Sequence, residues 1–186
     1  SCIPTQNLMH CLQICDAVKL QKTINNLPLF LKYFDAVWNV IHNLLIFQPK
    51  VALDSSHSFL HIVKILLKSL IPVGSQNLVS AQDANIQLQI IQAAKNINRL
   101  MTRMAQHENK FAKLVPSLIA EYVSCVQHVT LESNVKDHLI SGINRILDLC
   151  SDNSLKSLSV NINPSCRDIY ANIVKNYKQF KYHGDV

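Results

Sequence analysis

Only three glycines, Gly74, Gly142 and Gly184, occur in 186 residues. Tight hairpins draw on glycine for the positive φ of their turns, so a chain this poor in glycine is a poor candidate for a sheet. Apolar residues meanwhile recur at steps of three and four, the period of an amphipathic helix. Together these features predict an all-α protein of seven or eight helices joined by short loops.

The first periodic segment runs from Thr5 to Leu20, with Leu8, Leu12 and Cys15 on one face and Cys11 beside them. The second starts at Leu27-Pro28, where proline suits a first helical turn, and carries Phe30, Phe34, Val37, Trp38, Ile41, Leu44 and Leu45 before Pro49. The third is expected to be capped by Asp54 or Ser55, to carry Phe59, Ile62, Val63, Leu66, Leu67 and Leu70, and to end before Pro72. Ser80 is expected to open a fourth, with Asp83 in capping-box position and Ala84, Leu88, Ile91, Ala94, Ile97 and Met101 inward, reaching as far as His107. A fifth spans Asn109 to His128, with a kink or new start at Pro116. A sixth spans Ser133 to Leu149, and residues Ser151 to Leu158 read as a turn.

The last helix is expected to be capped by Asn163 with Pro164 in first position. Cys166, Ile169, Tyr170, Ile173, Val174, Tyr177 and Phe180 form its apolar stripe, with Arg167, Lys175 and Lys178 on a neighbouring face. Pairing of successive helices suits a HEAT- or armadillo-like α-solenoid, and an irregular helical bundle is the alternative. The 186 residues read as one domain.

Charged residues are only 16% of the chain, against about 25% in ordinary soluble domains. The deficit implies that some surface is buried against another protein or another part of a longer chain. The formal charge of +6 is spread out rather than gathered in a long basic tract. Apolar runs are broken by Lys, His or Asn before they reach the length of a membrane span, and no signal peptide is visible.

No motif for chemistry stands out. Cys11 and Cys15, next to His10, and His57 and His61 are i, i+4 pairs, but zinc sites use tighter spacing in turns. The six cysteines form no CxxC pair and read as reduced, apolar-like thiols. Cys125 and His128 lie three apart on one helix, which packing explains better than a nucleophile and base. Asp148 and Asp152, or Glu121 and Asp137, show no sign of a perturbed acid–base pair. Isolated glycines exclude the phosphate-binding GxxxxGK and GxGxxG loops. The reading is of no catalytic or metal site, no cofactor and no small-molecule substrate. Lys175, Lys178, Lys181 and His183, interleaved with Tyr177, Phe180 and Tyr182, form the one basic and aromatic cluster suited to RNA or to an acidic partner.

Several stretches of the C-terminal part also resemble a known family. They are Leu147-Asp148-Leu149-Cys150, the Leu155 to Leu158 step, Arg167-Asp168-Ile169-Tyr170, the Tyr177 to Phe180 step, and Lys181-Tyr182-His183-Gly184, with Leu118 to Val123 upstream. They resemble the C-terminal signature of the Urb2/Npa2 family of nucleolar ribosome assembly factors. The resemblance covers the last 40 or so residues well and the first hundred thinly. His183 stands where the family pattern has Lys, which argues against an RNA-binding tail. The resemblance implies the C-terminal fragment of a much larger helical-repeat protein. It further implies a non-enzymatic scaffold in pre-60S particles and large-subunit rRNA maturation. Its implied partners are other assembly factors: a large helical-repeat protein, a DEAD-box helicase complex and, less directly, pre-rRNA.

Overall fold

The computed structural model describes residues 25–183, apart from the side chains at 108, 109, 180, 182 and 183. The predicted Thr5 to Leu20 helix, with His10, Cys11 and Cys15, lies outside the described residues. Those described form α-helices joined by short links: α1 (Leu27–Phe47), α2 (Pro49–Asp54), α3 (Ser56–Val73), α4 (Gln76–Ser80), α5 (Ala84–Ala105), α6 (Glu108–Phe111), α7 (Val115–Val126), α8 (Ser133–Leu147), α9 (Asp152–Asn161) and α10 (Arg167–His183). A 3₁₀ turn, Pro164–Cys166, joins the last two.

Local chemistry sets most boundaries. The Asn26 side chain accepts a hydrogen bond from the Leu29 amide (3.2 Å) and Pro28 fills the first turn of α1. Asp83 caps α5 by accepting from the Ile86 amide (2.9 Å), and Glu132 caps α8 by accepting from the Val135 amide (3.0 Å). Each satisfies an amide that a helix start leaves without a partner. Pro116 sits in the first turn of α7, so the chain does restart there.

Three expectations at helix boundaries are corrected. Ser80 ends α4 rather than opening α5, because Asp83 supplies the capping oxygen itself. Pro72 lies inside α3, in its last turn, and the helix runs on to Val73. Residues 152–161 form the full helix α9 rather than a turn. Ser151 Oγ accepts from the Ser154 amide (3.2 Å), and Leu155 and Leu158 hold its inner face.

The packing is irregular and centres on α5, which lies against α8 most extensively and against α1 and α3 as well. Ile90, Ala94, Ile97, Leu100, Met101 and Met104 of α5 are buried, as are Leu139, Ile143, Ile146 and Leu147 of α8. Gly142 marks the closest approach. A Cβ there would meet Met101 Sδ at 2.8 Å and the Asn98 Cα at 3.2 Å, so glycine lets the two backbones come together. Leu88, expected inside, is 66% exposed. It lies about two and a half turns before Ile97 and so on the opposite face of α5.

α1 joins the core through Trp38, whose indole N–H donates to the Asn96 carbonyl of α5 at 2.8 Å. A second line of packing runs from α3 to α7 and on to α9. There Phe59 and Phe111, both fully buried, meet with ring centroids 5.7 Å apart. α3 has the length and hydropathy of a membrane-crossing helix, yet 61% of it is buried inside the protein as a core element. Backbone hydrogen bonds from Gln76 N–H to the Thr130 carbonyl (2.8 Å) and from Glu132 N–H to the Gly74 carbonyl (3.0 Å) tie the α3–α4 link to the α7–α8 link.

Candidate functional site

The chain turns back on itself between α9 and α10. Asn163 caps the turn by accepting from the Ser165 amide (3.2 Å), and Cys166 is buried beneath it. The Cys166 thiol donates to Gln127 Oε1 at 3.0 Å, anchoring the turn to the end of α7. The two helices then diverge and leave an open groove of about 1070 Å³ between them.

The groove has an apolar floor and a charged rim. Leu155, Tyr170, Ala171 and Val174 line the floor. Lys156, Arg167, Lys175 and Lys178 stand around it with Asp152 and Asp168, so positive charge prevails. Arg167 also donates to the Val160 carbonyl (3.3 Å) at the end of α9, where a cation meets the negative end of the helix dipole. At the floor the Tyr170 hydroxyl donates to the Leu155 carbonyl at 2.9 Å and joins the helices. Burial and the nearby Cys150 push the Tyr170 hydroxyl up to about 12, so it remains a donor across the neutral range.

The expected basic cluster divides. Arg167, Lys175 and Lys178 share the groove. Lys181 faces Asp148 instead: its Nζ lies 4.0 Å from Asp148 Oδ1, 3.3 Å from the Tyr177 hydroxyl and 5.6 Å from the centre of the Tyr177 ring. Tyr177 is buried, and its hydroxyl donates to Asp148 at 2.6 Å. Burial first, and then that carboxylate, raise the Tyr177 pKa well above the ordinary tyrosine value. Asp148 therefore holds α10.

The apolar stripe divides too. Tyr170 and Val174 face the groove, while the half-buried Ile169 and Ile173 line a shallower depression with Tyr122 and Val126 of α7. Tyr182 and His183 belong to the last turn of α10. Their side chains, and that of Phe180, are outside the described residues. Lys156 and Leu155 are site residues that the sequence reading missed. The cue was the serine cap at Ser151, with leucines three residues apart at Leu155 and Leu158.

The pairs weighed for chemistry lie elsewhere. Cys125 Sγ is 3.9 Å from Glu121 Oε1. Burial and the Glu121 charge raise its pKa, which disfavours the reactive thiolate. Burial likewise pushes the Cys150 thiol up to about 11. His57 and His61 are exposed on α3, and no cluster of three metal-ligating side chains forms among the described residues.

The groove thus brings together Leu155 and the Arg167, Asp168 and Tyr170 of two family-like segments. The whole sequence, not only this part, matches the Urb2/Npa2 family, over residues 1–185. The chain belongs to the Urb2/Npa2 family. This membership extends the resemblance through the first hundred residues, where individual motifs are thin, and ties the chain to a ribosome-biogenesis family consistent with a nucleolar role. No solved structure gives a significant match to this Urb2/Npa2 chain.

Proposed function

We propose that this helical unit is a non-catalytic scaffold of nucleolar pre-60S assembly and large-subunit rRNA maturation. It holds protein partners at the α9–α10 groove. The observation that carries the reading is the combination of an apolar floor with an open basic rim. An apolar floor gains free energy when a partner's side chains displace water from it, and charges at the rim steer the encounter and set its register. Family membership supports the ribosome-assembly setting. The partners expected from the family are other pre-60S factors, a large helical-repeat protein and a DEAD-box helicase complex among them.

RNA contact by the same helix is the rival reading. A single-strand RNA site combines basic groups with free aromatic faces. Here Tyr170 and Tyr177 are committed to packing and to hydrogen bonds inside the protein, which favours a protein partner.

Charge reversal at Lys156, Lys175 and Lys178 in the intact protein separates the two. All three are exposed, so each substitution should shift stability by no more than about 0.5 kcal/mol. Affinity purification is expected to lose specific assembly factors while pre-rRNA is retained. Loss of pre-rRNA with the full set of proteins retained would overturn the scaffold reading in favour of RNA contact.

A further inference from the structure

Helix α5 gathers basic charge that the sequence leaves dispersed. From Ala84 to Ala105 its charged residues are Lys95, Arg99 and Arg103, and none is acidic. They stand four apart, so they rise along one side of the helix at about 6 Å per step. All three are exposed, and like charges at this spacing repel one another. The negative end of the helix dipole accounts for Arg103 in the last turn, but that effect fades within a turn and does not reach Lys95 or Arg99. Among the described residues the ion pairs are Lys68 with Glu121 and Lys181 with Asp148, so neither involves the row. Asp35 of α1 faces the same junction, but its carboxylate oxygens accept from the Asn39 amide (3.0 Å) and the Asn96 amide (3.5 Å). His42 of α1 flanks the row, stacked on Trp38 with ring centroids 4.5 Å apart. Burial first, and then the charges of Arg103 and Arg99, lower its pKa. The imidazole is thus kept neutral, a hydrogen-bonding group beside three fixed charges.

We propose that this row binds the phosphate backbone of double-helical RNA, at a site separate from the α9–α10 groove and independent of its role. The side chains around the row favour RNA over an acidic protein. Across positions 92–106 every exposed residue is basic or an amide. A protein interface is centred on apolar anchors and depletes charge at its core, and this stretch of α5 presents no such anchor. Nucleic-acid interfaces are polar and strongly positive. Phosphates follow one another along an RNA strand at a spacing similar to that of the row, so each cation meets one phosphate. Arg99 and Arg103 present planar guanidinium forks that grip phosphate oxygens in pairs, and Lys95 adds a point charge. The absence of an aromatic ring from these positions fits paired RNA, whose bases are already stacked and whose backbone is what a protein meets. Such contacts position the RNA and carry no sequence information.

The test is binding of a fluorescein-labelled RNA duplex of mixed sequence to the full-length chain, followed by anisotropy over a range of salt. Combining Lys95→Gln, Arg99→Gln and Arg103→Gln should weaken binding at least about tenfold at low salt, and the slope of log affinity against log salt should fall by about 2–3, close to one per lost phosphate contact. Lys95→Gln alone should lower the slope by about 1. Lys95→Arg with Arg99→Lys and Arg103→Lys keeps the charge and should keep the slope. Charge reversal at Lys156, Lys175 and Lys178 should also leave it unchanged. Single-stranded oligouridylate should bind more weakly than the duplex, and polyglutamate should compete poorly. Neutral variants with the affinity and slope of the native chain, or a native chain that does not bind the duplex, would overturn the proposal. An equal loss in the charge-preserving variant would sink it as well, since the effect would then be structural. A slope that falls with the α10 substitutions instead would move RNA contact to that helix. Polyglutamate that displaces the duplex at equal charge would reassign the row to an acidic protein, and oligouridylate that binds as tightly as the duplex would rule out recognition of paired RNA.

Discussion

The α5–α8 and α9–α10 pairs are each two helices in contact, but different forces hold them. Between α5 and α8 the contact is apolar and close, made by fully buried Ile, Leu and Met side chains around Gly142. Between α9 and α10 the helices splay apart, and directed hydrogen bonds do much of the holding. Tyr170 ties α10 to α9, Tyr177 ties it to Asp148, and Cys166 ties the turn to Gln127. Apolar packing is non-directional and gains with every area of surface removed from water. A neutral hydrogen bond adds only about 1 kcal/mol net, but it fixes geometry. The terminal pair is therefore a well-placed, lightly held element on a firmly packed body. Regions of that kind open locally at lower cost than the core, which suits a surface that a partner must enter.

The largest test of this contrast is in the core. Ile143→Ala removes a fully buried side chain of α8 and should cost about 2–5 kcal/mol. A denaturant melt should show the whole protein shifting. A shift confined to the C-terminal helices would mean that α8 belongs energetically with them and would erase the distinction.

The next effect is smaller and concerns shape alone. Gly142→Val places a branched side chain against Met101 Sδ and the Asn98 backbone. The Met101 side chain can move aside, but the backbone of α5 cannot do so without separating the helices. Overpacking of this kind costs about 1–3 kcal/mol. Gly142→Ala should cost less, because alanine recovers about 1 kcal/mol of helix propensity. Valine tolerated as well as alanine, in the same melt, would show that the crossing is looser than its backbone spacing implies.

What the sequence disclosed follows the same division. The inward ladders of α1, α3 and α8 were legible because long amphipathic helices repeat their pattern over several turns. Leu88 was misplaced because the successive steps of three from Leu88 to Ile97 drift around a helix of 3.6 residues per turn, which puts Leu88 on the face opposite Ile97. A run of three-residue steps marks a helix but does not keep to one face of it. The Ser80 start failed because Asp83, three residues on, accepts from the Ile86 amide, while the Ser80 hydroxyl donates back to the Asn77 carbonyl in α4. Helix α9 was passed over because serines and asparagines fill its exposed face and only Leu155 and Leu158 are buried. The groove went with it, since one wall was missing. Lys181 was grouped with Lys175 and Lys178 by proximity along the chain. Its partner Asp148 comes from the end of α8, and nothing in the local sequence signals that pairing.

The smallest effect is the most specific to the terminal pair. The Tyr170 pKa in the folded protein is about 12, against about 10 for an unfolded tyrosine. Folding therefore favours the protonated hydroxyl. Its contribution is fully present below about pH 10 and is lost as pH rises from there through about 12. Tyr177, raised in the same direction, adds to the same loss. The lone tryptophan, Trp38, sits in the α1–α5 contact, so its fluorescence follows the core independently. An alkaline titration should release α10, seen as faster amide exchange in residues 167–181, before the Trp38 signal changes. Tyr170→Phe keeps the ring and leaves the Leu155 carbonyl without its donor. It should cost about 1 kcal/mol at neutral pH and should flatten the alkaline loss. If α10 and Trp38 respond together in both proteins, the tyrosine hydroxyls are not what hold the terminal pair. Its stability would then come from the apolar contacts at Leu155, Cys166 and Ile169.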